Sequence, residues 1–480
     1  MEYAISIGLY FAFVIGVCLH IIKNVDTPSK AMAYIGLVII LPIAGAFIYF
    51  SIGFNYRKNK LYQKKINLNA DSAIEFSKAT REYGLPILEE FTEALNYFKP
   101  LASFLNNQCL TTAQNDIKLL INGEAKFPTV FEELKKATHH IHIEYYIIED
   151  DDIAQQLADI LIEKVKEGVE VRLMYDDFGS NGIRRKYANK LKINGVKVFP
   201  FFRINHVYFA NRLNYRNHRK IIVIDGKVGF VGGINFSDRY INTVQSKLFW
   251  RDTHVMIKGH SIMNLQFIFM TDWNFCSNEN LEFSRLYFPN QYLLGQTKNK
   301  IIQVAASGPD SDHPNILYAL IQSIILSRKE VLITTPYFIP DEALFNAILI
   351  TKASGATVKI LVPGISDSII VNKVSSSYYG DLLKAGVEVY RYTKGFVHAK
   401  TMVCDEHVSF IGTANLDHRS FDLNFEVNAI FYDRELANEL KSNFIIDIAN
   451  AEKLDLIKWN QRSIFIKFTE RFFRLISPLV

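Results

Sequence analysis

Two uncharged apolar runs open the chain, and short apolar strands alternating with amphipathic helices fill most of the remaining length. Residues 3 to 22 (YAISIGLYFAFVIGVCLHII) and 31 to 53 (AMAYIGLVIILPIAGAFIYFSIG) contain no Asp, Glu, Lys or Arg. Each is long enough for a helix to cross a hydrocarbon core about 30 Å thick, so a transmembrane hairpin over residues 1–56 is predicted. Pro42 lies inside the second run and is tolerated in a span whose neighbours satisfy the freed carbonyl. Met1-Glu2 is not a basic leader and no small-residue cleavage site separates the runs, which favours a retained span over a signal peptide. The connecting loop holds Lys23, Asp26 and Lys30, whereas Arg57, Lys58, Lys60, Lys64 and Lys65 follow the second run. The excess of basic residues places the N-terminus and the C-terminal body on the cytoplasmic side.

The body repeats itself. Strand-like 138–148, helix-like 153–168, strand-like 169–177, a helix ending at Gly195 and strand-like 196–202 are matched in order by 330–339, 342–355, 357–364, a helix ending at Gly386 and 387–392. Helices closed by glycine between apolar strands predict α/β architecture with mainly parallel pairing. The expected units are a helical connector over 57–110, a first lobe over 111–295, a second lobe over 296–455 and a tail over 456–480.

The repeat extends to residues that carry chemistry. His218, Lys220, Asp225, Gly232 and Asn235 recur without a gap as His398, Lys400, Asp405, Gly412 and Asn415. KIIVID (220–225) and KTMVCD (400–405) are strand-like, so His and Lys two residues apart share a sheet face, and Asp225-Gly226 is a hairpin-turn pair. An imidazole beside an ammonium, presented twice, suits phosphodiester chemistry. Two lysines neutralise charge building on the phosphoryl oxygens, and histidine serves as neutral nucleophile or cationic acid near pH 7.

The doubled H-x-K-x(4)-D with downstream G-G/T-x-N resembles the phospholipase D superfamily and, within it, the bacterial cardiolipin synthases. The likeness runs through NYRK (55–58), RNHRKIIVIDGKVGFVGGIN (216–235), WRDTHV (250–255), FVHAKTMVCD (396–405), IGTANLDHRSFDLNFEVN (411–428) and SPLV (477–480). It implies two pseudo-symmetric lobes, each a mixed sheet flanked by helices, meeting at the active site, in a multi-pass protein of the bacterial inner membrane. It also implies transfer of a phosphatidyl group between two phosphatidylglycerols, giving cardiolipin and glycerol through a phosphohistidine, without cofactor or metal. The catalytic set carried over is His218, Lys220, Asp225, His398, Lys400 and Asp405, with His218 taken as the nucleophile. Asn235 and Asn415 are expected to bind the phosphate. Asp225 and Asp405 sit at turns, where they would organise the site rather than move protons. Asp252 (WRD) and Glu426 (NFE), one per lobe, are expected to orient the histidines. Cys404 reads as strand packing. A hydrolase, a transferase using another acceptor, and a membrane scaffold that has lost its chemistry are the alternatives.

Composition adds the partner. Hydrophobic residues make up 49% and charged residues 21%, a folded rather than disordered composition. Four scattered cysteines argue against a disulfide or zinc framework. The net charge of +5 is too slight over 480 residues to indicate nucleic acid. It gathers instead next to the apolar runs and in the tail, where Lys458, Arg462, Lys467, Arg471 and Arg474 interleave with Ile464, Phe465, Phe468, Phe472 and Phe473. Such a segment suits an anionic bilayer or packs as a helix over the second lobe. Phe201, Phe202, Tyr208 and Phe209 line an acyl-chain entrance or fill the lobe core. The mean hydropathy of +0.06 is thus local, concentrated in the first residues.

Overall fold

The first repeat builds its sheet from β1 (Thr112–Ile121), β2 (His140–Tyr145), β3 (Glu170–Asp176), β4 (Lys197–Phe201), β5 (Lys220–Ile224), β6 (Val228–Gly232) and β7 (Thr253–Gly259). The second uses β8 (Lys300–Ser307), β9 (Glu330–Thr334), β10 (Thr357–Pro363), β11 (Glu388–Tyr392), β12 (Thr401–Cys404), β13 (Val408–Gly412) and β14 (Glu426–Tyr432), with an edge strand β15 (Ala451–Lys453). In this computed structural model they form one 15-stranded sheet in the order β15-β11-β10-β9-β12-β13-β14-β8-β1-β7-β6-β5-β2-β3-β4. Each first-lobe strand has its counterpart seven places later, and the halves join through antiparallel β1 and β8. Pairing is parallel along β2-β3-β4 and β9-β10-β11 and antiparallel elsewhere, so the sheet is mixed. The description covers residues 2–25, 28–50, 65, 86–89, 91, 95–106, 108–203, 215–243, 248–277, 279–289, 300–311, 313–475 and 477–479. Tyr208, Phe209 and most of the expected connector lie outside it.

The expected strands and helices of the repeat fall within a few residues of these elements, because every parallel strand is bounded by a punctuating residue. Gly168, Gly195, Gly355 and Gly386 close their helices at φ between +82° and +102°, a conformation glycine adopts without a Cβ penalty. Helices Asn122–Lys135, Asp152–Lys166 and Lys186–Ile193 cover the outer face of the first half, and Asn315–Leu326, Glu342–Ala353 and Ile369–Lys384 that of the second. On the inner face lie Ile262–Ser277 and Arg434–Ala449. There Ile221, Val223, Val255 and Ile257 pack in one core with Val403, Ile411, Val427 and Phe431. The lobes therefore share a core, which fixes the cleft between them. Phe201 and Phe202 are buried and pack against Phe425 of the other lobe, the first edge-on and the second tilted. Cys404 is fully buried in β12.

Two expectations change. Helix α1 (Glu2–Asn24) is apolar and long enough to cross a membrane over Ile5–Asn24, the one such helix among the described residues. The second apolar run is not a straight span. It is split into α2 (Pro28–Ile40) and α3 (Pro42–Ile48), because proline excludes its predecessor Leu41 from helical geometry (φ −132°, ψ 73°). The chain turns back there, and the Tyr34 and Tyr49 rings lie 5.4 Å apart. Lys65, expected among the juxtamembrane cations, is instead buried between the lobes. It is ion-paired with Asp272, which Arg219 also holds, and with Asp310 at 2.6 Å. In the tail, α4 (Ile464–Arg474) docks one face on Ile369–Lys384, with Arg474 bonded to Asp381 at 3.0 Å and Arg462 bidentate to Glu470 at 2.6 and 2.9 Å. Its other face leaves Ile464, Phe465, Phe468 and Phe472 exposed.

Candidate active site

Hairpins β5-β6 and β12-β13 present the two motifs. In the three-residue turn of the first, Asp225 and Gly226 both take positive φ, +53° and +62°, the backbone of a type I′ turn. Asp225 accepts the backbone N–H groups of Thr138, His139 and His140 at 2.8 to 2.9 Å. Asp405 likewise accepts those of Arg328, Lys329 and Glu330 at 2.7 to 2.8 Å. Both carboxylates thus stand beyond the far end of a strand from their histidine, seven residues on, up to ~23 Å at 3.3 Å per residue. Grouped with the catalytic set but expected to organise it, they pin the start of β2 and β9 to the hairpin that carries each histidine.

The histidines are held across the lobe interface. His218 Nδ1 lies 2.9 and 3.0 Å from the carboxylate oxygens of Glu426 in the second lobe. His398 Nδ1 lies 2.7 Å from Asp252 Oδ2 in the first. Main-chain bonds run the same way: His218 N–H donates to Phe425 O at 2.9 Å and His398 N–H to Arg251 O at 2.7 Å. Residues Gly395–Val397 pair in parallel with Phe249–Arg251. The approach to each histidine is therefore a clasp between lobes, and each carboxylate serves the other lobe's imidazole. Asp252 and Glu426 are fully buried, so their hydrogen bonds are not diluted by water. Gly233 allows this on the first-lobe side, since a Cβ there would stand 2.1 Å from Asp252 Oδ1.

Lys220 and Lys400 line the cleft between the histidines. Each ammonium donates to the carbonyl of its own motif histidine, at 2.8 and 2.5 Å, leaving its other donors for an anion. Burial and the facing Lys400 lower Lys220 to about 7; burial lowers Lys400 to about 8 against the pull of Asp252. Burial, then Lys220, Lys400 and Arg419, hold His218 well below its ordinary value, so it is neutral. His398 falls to about 4 through burial and Lys400, opposed by Asp252. Burial raises Glu426 to about 7. The lowered lysines and histidines share one origin, the burial of several cationic groups side by side, and a phosphodiester is the anion that would balance them.

Asn235 and Asn415 complete the cleft. The Asn235 amide donates to Tyr240 Oη at 2.8 Å. Asn415 Oδ1 has no hydrogen-bond partner among the described residues, while its backbone N–H donates to Ser420 Oγ at 3.1 Å. Sequence reasoning missed the walls. Tyr146 lies edge-on to His218 with centroids 4.9 Å apart, Trp250 edge-on to His398 at 5.6 Å, and Arg419 contributes positive charge. Arg419 and Trp250 stand within the strings that carry the family likeness, four residues beyond Asn415 and two before Asp252; Tyr146 carries no such signal.

The family described as "Cardiolipin synthase, PLD-like domain" matches residues 130–264 and 320–448, one stretch in each lobe. "Cardiolipin synthase" of Geobacillus sp. is 40% identical over 456 residues, 94% of this chain and 89% of that protein. "Major cardiolipin synthase ClsA" of Bacillus subtilis is 36% identical over 493 aligned positions, covering 99% of each. The crystal structure of phosphatidylserine synthase from Haemophilus influenzae superposes with a TM-score of 0.61 at 15% identity, over 80% of this chain and 99% of that one, a likeness of fold.

Proposed function

Since this chain belongs to the cardiolipin synthase family of phospholipase D-like proteins, we propose that it transfers a phosphatidyl group from one phosphatidylglycerol to another, at the cytoplasmic face of a bacterial membrane. The observation that carries this reading is the pair of imidazoles, each with a carboxylate on Nδ1 and both beside buried lysines. A carboxylate on Nδ1 places the proton there and leaves Nε2 free to attack. His218, the more strongly neutralised of the two, attacks phosphorus through Nε2. The bound anionic phosphate raises His398 so that its Nε2 is protonated in the complex; the glycerol oxygen leaves with that proton, and the phosphatidyl group rests on His218. The terminal hydroxyl of the second phosphatidylglycerol then yields its proton to His398 and attacks phosphorus, releasing His218 and forming cardiolipin. Lys220, Lys400 and the two asparagines hold the phosphoryl oxygens throughout. Splitting one displacement into two through a covalent intermediate is the advantage of the histidine.

Purified protein in phosphatidylglycerol micelles is expected to release glycerol and cardiolipin in equal amounts, followed by mass spectrometry and a glycerol assay. Phosphatidic acid as the main product would instead identify a hydrolase, because water would then be the acceptor. With a mixture of acceptors, a dominant product other than cardiolipin would shift the assignment to another phosphatidyltransferase.

The lysine values set a pH dependence. A lysine lowered to about 7 or 8 is charged below that pH and neutral above it. In the free enzyme, rising pH through 7 to 8 therefore removes the cations that bind phosphate. We expect kcat/KM to fall on that limb while kcat stays flatter, since bound phosphate returns both ammoniums toward their ordinary range. A pH profile whose alkaline limb appears equally in kcat would contradict this.

A further inference from the structure

We propose that the chain crosses the bilayer once, through α1, and that α2 and α3 form a re-entrant helical hairpin entering and leaving the membrane on the side of the lobes. The return of the chain carries this. A straight helix would separate residues 34 and 49 by about 22 Å at 1.5 Å per residue, yet their rings lie 5.4 Å apart. Tyr49 is buried, and its hydroxyl lies 2.9 Å from His20 Nδ1, near the end of α1 at Asn24. Residue 49 has thus come back level with Tyr34 and His20, about 9 Å from the start of α2. Helix α2, with 13 residues, rises only about 20 Å, short of a 30 Å hydrocarbon core.

The fold-back is built into the sequence. Pro42 breaks the helix, and Gly45 lets the returning arm close on the first, since a Cβ there would stand 2.6 Å from Leu37 O. Two main-chain bonds hold the break together: Leu41 N–H donates to Leu37 O at 2.8 Å, and Leu41 O accepts Gly45 N–H at 2.5 Å, which lessens the cost of a broken helix in lipid.

The start of α2 is fastened to the lobes. Lys30 is ion-paired with Asp422, and α2 touches Ser477–Leu479. The other end of α1 carries exposed Ile5, Leu9, Phe11 and Phe13, a surface suited to lipid. Charge agrees. One crossing puts Lys23 and Lys30 on the same side as Arg57, Lys58, Lys60 and Lys64, whereas two full spans would leave Lys23 and Lys30 outside, against the positive-inside rule. The foot of the hairpin meets the helix His418–Asp422, whose Ser420 holds the Asn415 backbone. The hairpin therefore borders the way from the leaflet to the cleft.

This topology rests on the cytoplasmic placement of the lobes, and its test separates the two. Protease is added to intact spheroplasts producing the full chain with an epitope tag at its N-terminus. The expected result is loss of the tag with the lobes protected. A protected tag with protected lobes overturns the single crossing and restores the two-span hairpin; digestion of the lobes overturns their cytoplasmic placement and, with it, this proposal. In parallel, Ser29→Cys is expected to react with a membrane-impermeant maleimide only after permeabilisation. Labelling of Ser29→Cys in intact cells, beyond that of the unmutated chain, would overturn the re-entrant hairpin.

Discussion

Replacing His218 with Asn is expected to lower cardiolipin formation by about 10⁴-fold or more, the scale seen when a covalent nucleophile is removed while binding groups remain. Asparagine approximates the volume and polarity of the imidazole, so the clasp around it, including the His218 backbone bond to Phe425, should survive. The loss then lies in kcat rather than in KM, because Lys220, Lys400 and the asparagines still bind phosphate. A rapid denaturing quench of the unmutated enzyme with phosphatidylglycerol, followed by peptide mapping, should find the phosphatidyl group on the peptide holding His218. The mark should be absent from His218→Asn. Three features favour His218 over its counterpart. It is held neutral more strongly than His398, with Lys220, Lys400 and Arg419 all bearing on it. Its partner Glu426, accepting the Nδ1 proton as a carboxylate, stabilises the positive charge that develops on a histidine bonded to phosphorus. His398 stands closer to its carboxylate, at 2.7 Å, which suits the group that must become cationic to protonate glycerol. A mark on His398 in place of His218 would exchange the two roles.

The α/β repeat was legible because its signals are local: apolar runs of strand length, glycines ending helices, and two motifs in identical register. The candidate residues of the site could be proposed for the same reason. What could not be read was anything set by the approach of one lobe to the other. The repeat assigns one carboxylate to each lobe and is silent on which histidine each meets, since that depends on the shared core of Val223, Val255, Val403 and Val427. Asp225 and Asp405 belong to the recurring string, and their place at a turn beyond a strand-like run already set them apart from His and Lys. Lys65 shows the limit of reading charge by position: next to apolar runs it looks like a membrane-flanking cation, yet buried Asp272 and half-buried Asp310 claim it. The second apolar run shows the limit of hydropathy, which measures how long a segment remains uncharged and not whether it reverses. Proline inside a span reads as tolerable, whereas here Pro42 with Gly45 turns the chain around.

Replacing the crossed carboxylates one at a time should split the reaction in two. Asp252→Asn and Glu426→Gln are each expected to lower cardiolipin synthesis on the order of 10³ to 10⁴-fold, the effect of presenting an amide to Nδ1 and thereby favouring the wrong imidazole tautomer. Cardiolipin synthesis alone would not distinguish them, because both half-reactions are required. A phosphodiester with a p-nitrophenyl leaving group does, since that group departs without a proton. Asp252 serves His398, the acid, so Asp252→Asn should release p-nitrophenol in a first burst at close to the unmutated rate and then stall. Glu426 serves His218, the nucleophile, so Glu426→Gln should show no burst with either substrate. A role confined to holding the lobes together would slow the burst in both variants alike, because the two pairs occupy equivalent places at the interface. If each carboxylate instead served the histidine of its own lobe, Asp252→Asn would abolish the burst and Glu426→Gln would spare it. The burst therefore reads both the division of labour between the histidines and the crossing of their partners, and a spared burst in Glu426→Gln would reject one of the two.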